Sequence, residues 1–396
     1  ANMISLDFGE DREIKHDKHS QGIAVFREGR AEADMISLDF DEDWESLRVN
    51  LAWKIGISRH TNPWHDAGKF FQLCRNGHVR CQEWADRGEC GINPEYMLHE
   101  CGGSCGSCNV TRSTPEFIGQ PWRLFSATGS NSVVDQTDTF TRGGLFLLFE
   151  GGQFIWPGIS IGFRRPVTLE MGRSVTLETL SLVPLVLSIS DFLSNEECDH
   201  VIREAEPEMR KSKVALMDKD KGKADAEFRT SSTYFLPSRT ATLRALDDRV
   251  ANLTRVRRQH QEYVQVLRYE NAEYYGSHVD YFDPDFYQSE EWLGLSKGGF
   301  SNRLATVFWY MTDVEDGGET NFPRAHGGAD LPNTQENCAT RGLSVKPTRG
   351  KVIVFYSLRP DGSGDKFSLH AACPVHIGTK WAANKWVWNE PKGFVA

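Results

Sequence analysis

The stretch Tyr275-Gly276-Ser277-His278-Val279-Asp280-Tyr281 sets a histidine two residues before an aspartate. Side chains alternate along an extended chain, so His278 and Asp280 share a face while Val279 points away. A second histidine follows in Phe367-Ser368-Leu369-His370-Ala371-Ala372-Cys373, and Lys380 stands ten residues beyond it. Two imidazoles and one carboxylate can hold a divalent transition metal and leave coordination positions open. A lone His-x-Asp says little, because most such triplets never meet a metal. The distant histidine and the lysine after it make the set specific.

The flanking residues say what carries this set. Strand-like runs occupy residues 263–269, 303–311, 351–356 and 385–388, rich in Val, Phe, Tyr and Trp. Helices come earlier. Ser194-Asn195-Glu196-Glu197 is a capping box, with Leu193 and Cys198 placed as a hydrophobic staple. Cys198, Val201, Ile202 and Ala205 then form one apolar stripe, and Leu243, Leu246, Val250 and Leu253 form another within 239–253. Helices first and strands afterwards predict an α+β fold, with helices packed on a β-sandwich or jelly roll. Residues 143–180, with Phe154, Trp156, Ile159, Ile161 and Phe163 between glycines and Pro157, read as strands packing onto a domain that spans 181–396.

Within that domain several stretches resemble, in order, the catalytic domain of the prolyl 4-hydroxylases, members of the Fe(II)/2-oxoglutarate dioxygenases. They are Phe192-Leu-Ser-Asn-Glu-Glu-Cys198, Arg229-Thr-Ser-Ser232, Gln265-Val-Leu-Arg-Tyr-Glu270, Arg303-Leu-Ala-Thr306, Asp313-Val-Glu-Asp-Gly-Gly-Glu-Thr320, Gly342-Leu-Ser-Val-Lys-Pro347 and His370-Ala-Ala-Cys-Pro-Val375. The resemblance implies a double-stranded β-helix, a jelly roll with supporting helices. It implies Fe(II) held by His278, Asp280 and His370, and 2-oxoglutarate paired through its distal carboxylate with Lys380, beside Tyr269 and Thr306. A buried carboxylate needs such a cation and such donors. It also implies ascorbate dependence, and a peptide groove bordered by Tyr275 and Trp386; Arg229 either reaches that groove from the Arg-Thr-Ser segment or pairs with a core carboxylate. Aromatic faces there suit proline rings in a polyproline II chain. Trp388 departs from the resemblance, standing where many relatives have histidine. Two polar stretches, 218–225 and 283–299, read as lids or as solvated loops. The function expected is hydroxylation of peptidyl proline in a proline-rich or collagen-like protein, with O2 and 2-oxoglutarate consumed and succinate and CO2 released. Two alternatives stand beside it. One is the same chemistry on another residue or a small molecule. The other is a secreted binding protein with an inert oxygenase domain.

The first part of the chain reads differently. Residues 1–66 are polar and acidic, and Met3-Ile-Ser-Leu-Asp-Phe8 recurs as Met35-Ile-Ser-Leu-Asp-Phe40. Two copies are too few for a solenoid, so a lightly ordered extension is expected. Cys74, Cys81, Cys90, Cys101, Cys105 and Cys108 crowd into one window, the mark of a disulfide scaffold made in an oxidising compartment. Cys105-Gly-Ser-Cys108 lacks a partner pair at zinc spacing. The window 74–108 resembles the ShK-type toxin module in spacing and in the residues between. That likeness implies a small helical unit with the pairing Cys74–Cys108, Cys81–Cys101 and Cys90–Cys105. Residues 109–142, rich in Ser, Thr and Gly, read as a linker. Cys198, Cys338 and Cys373 remain; a Cys338–Cys373 bridge with Cys198 buried in its helix is one arrangement open to them, and the sequence does not choose among the pairings. Asn-X-Thr sequons at Asn109 and Asn252 agree with a secretory route, so the endoplasmic reticulum lumen or the outside of the cell is expected.

Composition narrows the partners. A net charge of −10 disfavours nucleic acid. The longest apolar stretch, 181–193, is broken by proline, serine and aspartate and falls short of the ~20 residues a spanning helix needs. No membrane span is expected, nor a leader at the start of this sequence.

Overall fold

The computed structural model describes residues 160–393 apart from 170–172, 298–300, 328–336 and 360–363, together with shorter stretches before them, chiefly 22–27, 33–38, 80–93, 123–126 and 144–149. Four early strands form one sheet in the order β2-β1-β4-β3: β1 (Gly22–Arg27), β2 (Ala33–Ser37), β3 (Arg123–Ser126) and β4 (Leu145–Phe149). β1 and β2 are an antiparallel hairpin, and β1 runs parallel to β4. This corrects two expectations. The 1–66 region contributes strands, burying Ile23, Val25, Ile36 and Leu38, and the 109–142 linker contains β3. The second copy of the repeated hexapeptide enters β2; the first lies outside the described residues.

In the cysteine window, α1 (Cys81–Asp86) and α2 (Glu89–Ile92) pack around Cys81, Met97 and Cys101. Cys81 and Cys101 are bridged, and Cys90 is also disulfide-bonded. The expected bridge between Cys74 and Cys108, and the Cys105 end of the other, fall outside the described residues.

The main body begins with β5 (Arg164–Thr168), β6 (Ser174–Leu182) and β7 (Leu185–Ile189). Next come α3 (Asn195–Ala205), β8 (Arg210–Lys211), β9 (Ser232–Leu236), α4 (Ala241–Thr254), β10 (Val264–Tyr269), β11 (Tyr275–His278) and α5 (Glu290–Ser296). The remaining strands are β12 (Arg303–Tyr310), β13 (Asp316–Gly317), β14 (Thr320–Phe322), β15 (Leu343–Val345), β16 (Val352–Tyr356), β17 (His370–Ala372), β18 (Val375–Ile377) and β19 (Lys380–Trp388). Nine of these make a large antiparallel sheet ordered β5-β6-β7-β16-β12-β19-β10-β9-β8, faced by a smaller one ordered β11-β17-β14-β15. The boundary expected at 181 falls inside β6. β5 and β6 are outer strands of the large sheet, not a layer laid upon it.

Strand alternation divides the core in two. One side chain set of the large sheet, including Val266, Val307, Trp309, Val354 and Ala383, packs against α3 and α4 through Cys198, Val201, Leu243, Leu246, Val250 and Leu253. The opposite set, Leu267, Tyr269, Phe308, Tyr310, Phe355 and Ala382, faces the smaller sheet. The α3 capping box forms as expected, with Glu197 N donating to Ser194 Oγ at 3.2 Å and Ser194 N to Glu197 Oε2 at 2.9 Å. The same Glu197 receives Arg249 of α4 at 2.7 and 2.8 Å, which ties the two helices together. Cys338 and Cys373 are bridged, and Cys198 is free and buried. At Gly317, φ is +76°, and an added Cβ would lie 2.3 Å from the Pro374 carbonyl oxygen, so the turn before β14 can close only on glycine. Among the described residues no helix is long and apolar enough to cross a membrane.

Candidate metal centre and co-substrate site

The smaller sheet brings the two histidines together. In the β11–β17 ladder His278 stands directly opposite His370, and their rings lie 4.3 Å apart between centroids. Asp280 follows just beyond β11, on the same side as His278. Its Oδ1 is 3.7 Å from His278 Nε2 and its Oδ2 is 3.7 Å from His370 Nε2. Among the described residues these three are the group whose donor atoms gather within 4.8 Å of one another.

Each ring is held in one tautomer. His278 Nδ1 sits 2.8 Å from the Gly276 carbonyl and His370 Nδ1 2.9 Å from the Ser368 carbonyl. A carbonyl only accepts, so Nδ1 carries the proton and Nε2 keeps its lone pair for a metal. Burial, reinforced by neighbouring His370, pushes His278 down to about 3 and keeps it neutral. Burial works to raise Asp280, but His370, His278, Arg303 and the Thr306 hydroxyl outweigh it and hold the carboxylate below its ordinary range. Two imidazoles with Nε2 free, beside an ionised carboxylate, fit a ferrous ion.

Lys380 opens β19 with its side chain on the inner face and no exposure. Its ammonium lies 5.2 Å from the Tyr269 ring, 5.5 Å from Phe308 and 5.8 Å from Tyr310, and among the described residues Nζ has no hydrogen-bond partner. Burial pushes this lysine down to about 7, with Glu319 opposing. A buried, unpartnered cation is costly unless an anion arrives to pair with it. The distal carboxylate of a keto acid that chelates the metal is such an anion.

Of the two further residues expected at this carboxylate, Tyr269 is in place beside Lys380. Thr306 is not. In the β12–β19 register it faces Trp386, six positions from Lys380, and its hydroxyl donates to Asp280 Oδ2 at 2.6 Å. It therefore orients the metal carboxylate. Tyr310, opposite Ala382 in that register, has its ring centroid 5.8 Å from Lys380 Nζ and donates its hydroxyl to Thr320 Oγ1 at 2.8 Å. Sequence reading missed both. Tyr310 lies four residues from Thr306 on one face of β12, a signal that needed the register to be used.

Tyr275 stacks on His278 with 3.7 Å between centroids, and the Arg229 guanidinium lies over the Tyr275 ring, 4.6 Å from its centroid. Arg229 is buried, donating to Ser231 Oγ at 2.8 Å. Trp386 lies beyond Thr306, with the Arg303 guanidinium 3.4 Å from its ring centroid. Arg303, another residue sequence reading passed over, binds Glu262 at 2.7 and 3.2 Å and reaches the Asp280 carbonyl at 3.4 Å. Trp388 turns its indole N–H to the same Glu262 at 2.6 Å and joins Phe282 and Tyr287 in an aromatic cluster. The two polar stretches are joined to each other: Asp218 N donates to the Phe286 carbonyl at 2.9 Å and Gln288 N to Asp218 Oδ2 at 2.6 Å.

Comparison with known proteins agrees with this site. Residues 264–388 match a family model described as the 2OG-Fe(II) oxygenase superfamily, and residues 73–108 match one described as ShK domain-like. The chain is 40% identical over 215 residues to probable prolyl 4-hydroxylase 3 of Arabidopsis thaliana, covering 53% of this chain and 71% of that protein. It is 38% identical over 214 residues to prolyl 4-hydroxylase 5 of the same plant, covering 53% and 70%.

The chain belongs to the prolyl 4-hydroxylase family.

As a member of that family it is an Fe(II)/2-oxoglutarate-dependent dioxygenase, and the matched model contains all three candidate ligands and Lys380. A solved structure of a viral collagen prolyl hydroxylase from Paramecium bursaria Chlorella virus-1, in complex with 2-oxoglutarate, is 26% identical with a TM-score of 0.35, over 51% of this chain and 95% of the other.

Proposed function

We propose that this chain hydroxylates C4 of peptidyl proline in a proline-rich or collagen-like protein. One O2 and one 2-oxoglutarate are consumed, one oxygen atom entering the C–H bond and the other the succinate formed with CO2. The observation that carries the reading is the pairing of a buried His278–Asp280–His370 cluster with the unpartnered ammonium of Lys380. His278 Nε2, His370 Nε2 and Asp280 Oδ1 would hold the metal, since Asp280 Oδ2 is engaged by Thr306. Bound ferrous iron supplies the electrons with which O2 and the keto acid become an oxidant for an unactivated C–H bond.

The chain's own residues do the rest. Lys380 pairs with the remote carboxylate and fixes the keto acid's orientation, while Phe308, Tyr269 and Tyr310 exclude water from that pair. Tyr275, Trp386 and the Arg229 and Arg303 guanidiniums border the metal cluster where an extended peptide would lie. A polyproline II chain suits this border, offering rings to the aromatic faces and unsatisfied carbonyls to the guanidiniums. The joined 218–225 and 283–299 stretches would close over such a peptide together.

The Cys81–Cys101 and Cys338–Cys373 bridges support folding in the endoplasmic reticulum lumen or outside the cell. Ascorbate is proposed as the reductant that restores ferrous iron. Fragment mapping of products from a panel of proline-rich peptides tests the reading. One added oxygen at proline C4 is expected. Keto-acid consumption with oxygen on another residue or a small molecule would replace the substrate assignment.

A further inference from the structure

Glu262 stands just before β10 and joins the two faces of the large sheet. On the inner face its carboxylate grips Arg303 and the Trp388 indole, beside Trp386 and the Asp280 main chain. On the outer face its main-chain carbonyl accepts a hydrogen bond from Lys385 Nζ at 2.6 Å. Lys385 is wholly buried and paired at 2.6 Å with Asp247 of α4, itself wholly buried. Arg258 stands 3.6 Å from the other oxygen of Asp247.

Neighbouring backbone explains why a side chain serves this carbonyl. Gln261 bridges Val387 and Glu262 N donates to the Trp386 carbonyl, yet the regular β10–β19 pairing begins only at Gln265 opposite Asn384. The Glu262 carbonyl lies in the gap. Removing two charges from water is expensive, and an apolar pair of similar volume commonly serves stability as well or better. An apolar pair cannot donate to that carbonyl.

We infer that Lys385, charge-balanced by Asp247, is a positioning residue for the peptide groove: it fixes the main chain at Glu262 and thereby the seat of Arg303, Trp386 and Trp388 beside the metal cluster. Lys385 touches neither metal nor substrate and acts through Glu262. The inference rests on the proposed prolyl hydroxylation and places the control of peptide binding on the helix-facing side of the sheet.

The test compares K385M/D247L, which replaces both charges with apolar side chains, with K385R, which keeps a cationic donor. Steady-state KM is measured separately for a proline-rich peptide and for 2-oxoglutarate, alongside thermal unfolding. K385M/D247L is expected to melt near the parent temperature and to raise the peptide KM about tenfold with the 2-oxoglutarate KM unchanged, and K385R to restore the peptide KM to within about threefold. A parent-like peptide KM in the double variant overturns the inference. So does a parallel rise in both KM values accompanied by a lower melting temperature, which is what a structural pair alone would give. Should the double variant fail to fold, D247N decides: the peptide KM alone rises several-fold, or, if neither KM moves, the inference falls. A parent enzyme that forms no hydroxyproline would instead remove the functional reading beneath it, whatever the variants do.

Discussion

Lys380 is the residue whose environment makes the sharpest predictions. Replacing it with methionine leaves the arriving carboxylate buried without a cation, a loss of about 3–5 kcal/mol, so the KM for 2-oxoglutarate should rise by more than about a hundredfold. Its pH dependence has a definite sign. Burial lowers the ammonium to about 7 in the ligand-free protein, and the dianion binds the protonated form. Below about pH 7 the site is ready; above it, binding must take up a proton, and apparent affinity falls about tenfold per pH unit. A 2-oxoglutarate KM that stays flat between about pH 6 and 9 would contradict this. Thr306→Val removes the donor to Asp280 Oδ2 and should weaken Mn(II) or Co(II) binding about 10–100-fold by calorimetry. His278, Asp280 and His370 gather and Lys380 is buried beside Tyr269, an arrangement that residue type, spacing and the family resemblance together led one to expect. Thr306 was misassigned because its partner depends on strand register, which sequence alone leaves open.

Local signals made the helices readable. The capping box at Ser194 and the stripe of Leu243, Leu246, Val250 and Leu253 each lie within one or two turns of chain. Ser194→Ala should cost about 1 kcal/mol in chemical denaturation, visible as a lower midpoint at unchanged slope. β19 was seen only in its last residues, yet it runs from Lys380 to Trp388 and is buried throughout, between β12 and β10. Its Ala382-Ala383-Asn384-Lys385 centre has little β character as sequence; neighbouring strands supply the order. β1 and β2 were missed for a related reason, since β1 pairs in parallel with β4, more than a hundred residues away.

At the scale of the whole molecule, the chemistry belongs to the large sheet and the smaller sheet facing it. A chain beginning at residue 181 would lose β5 and most of β6, exposing the edge of β7 and apolar residues such as Leu187 and Ile189. Such a fragment should be recovered as aggregate, as read by size-exclusion chromatography. Removing residues 1–110 leaves the large sheet whole. Arg80 of the cysteine module lies 3.9 Å from Asp285, within one of the two joined loops. That deletion should therefore spare turnover of short peptides and lower turnover of whole proline-rich substrates. The most direct test of the central claim is iron-dependent 2-oxoglutarate turnover with site-mapped product, in the parent protein and in His278→Ala. Hydroxyl at proline C4 in the parent and none in the variant is predicted; a parent with no iron-dependent turnover would contradict the account.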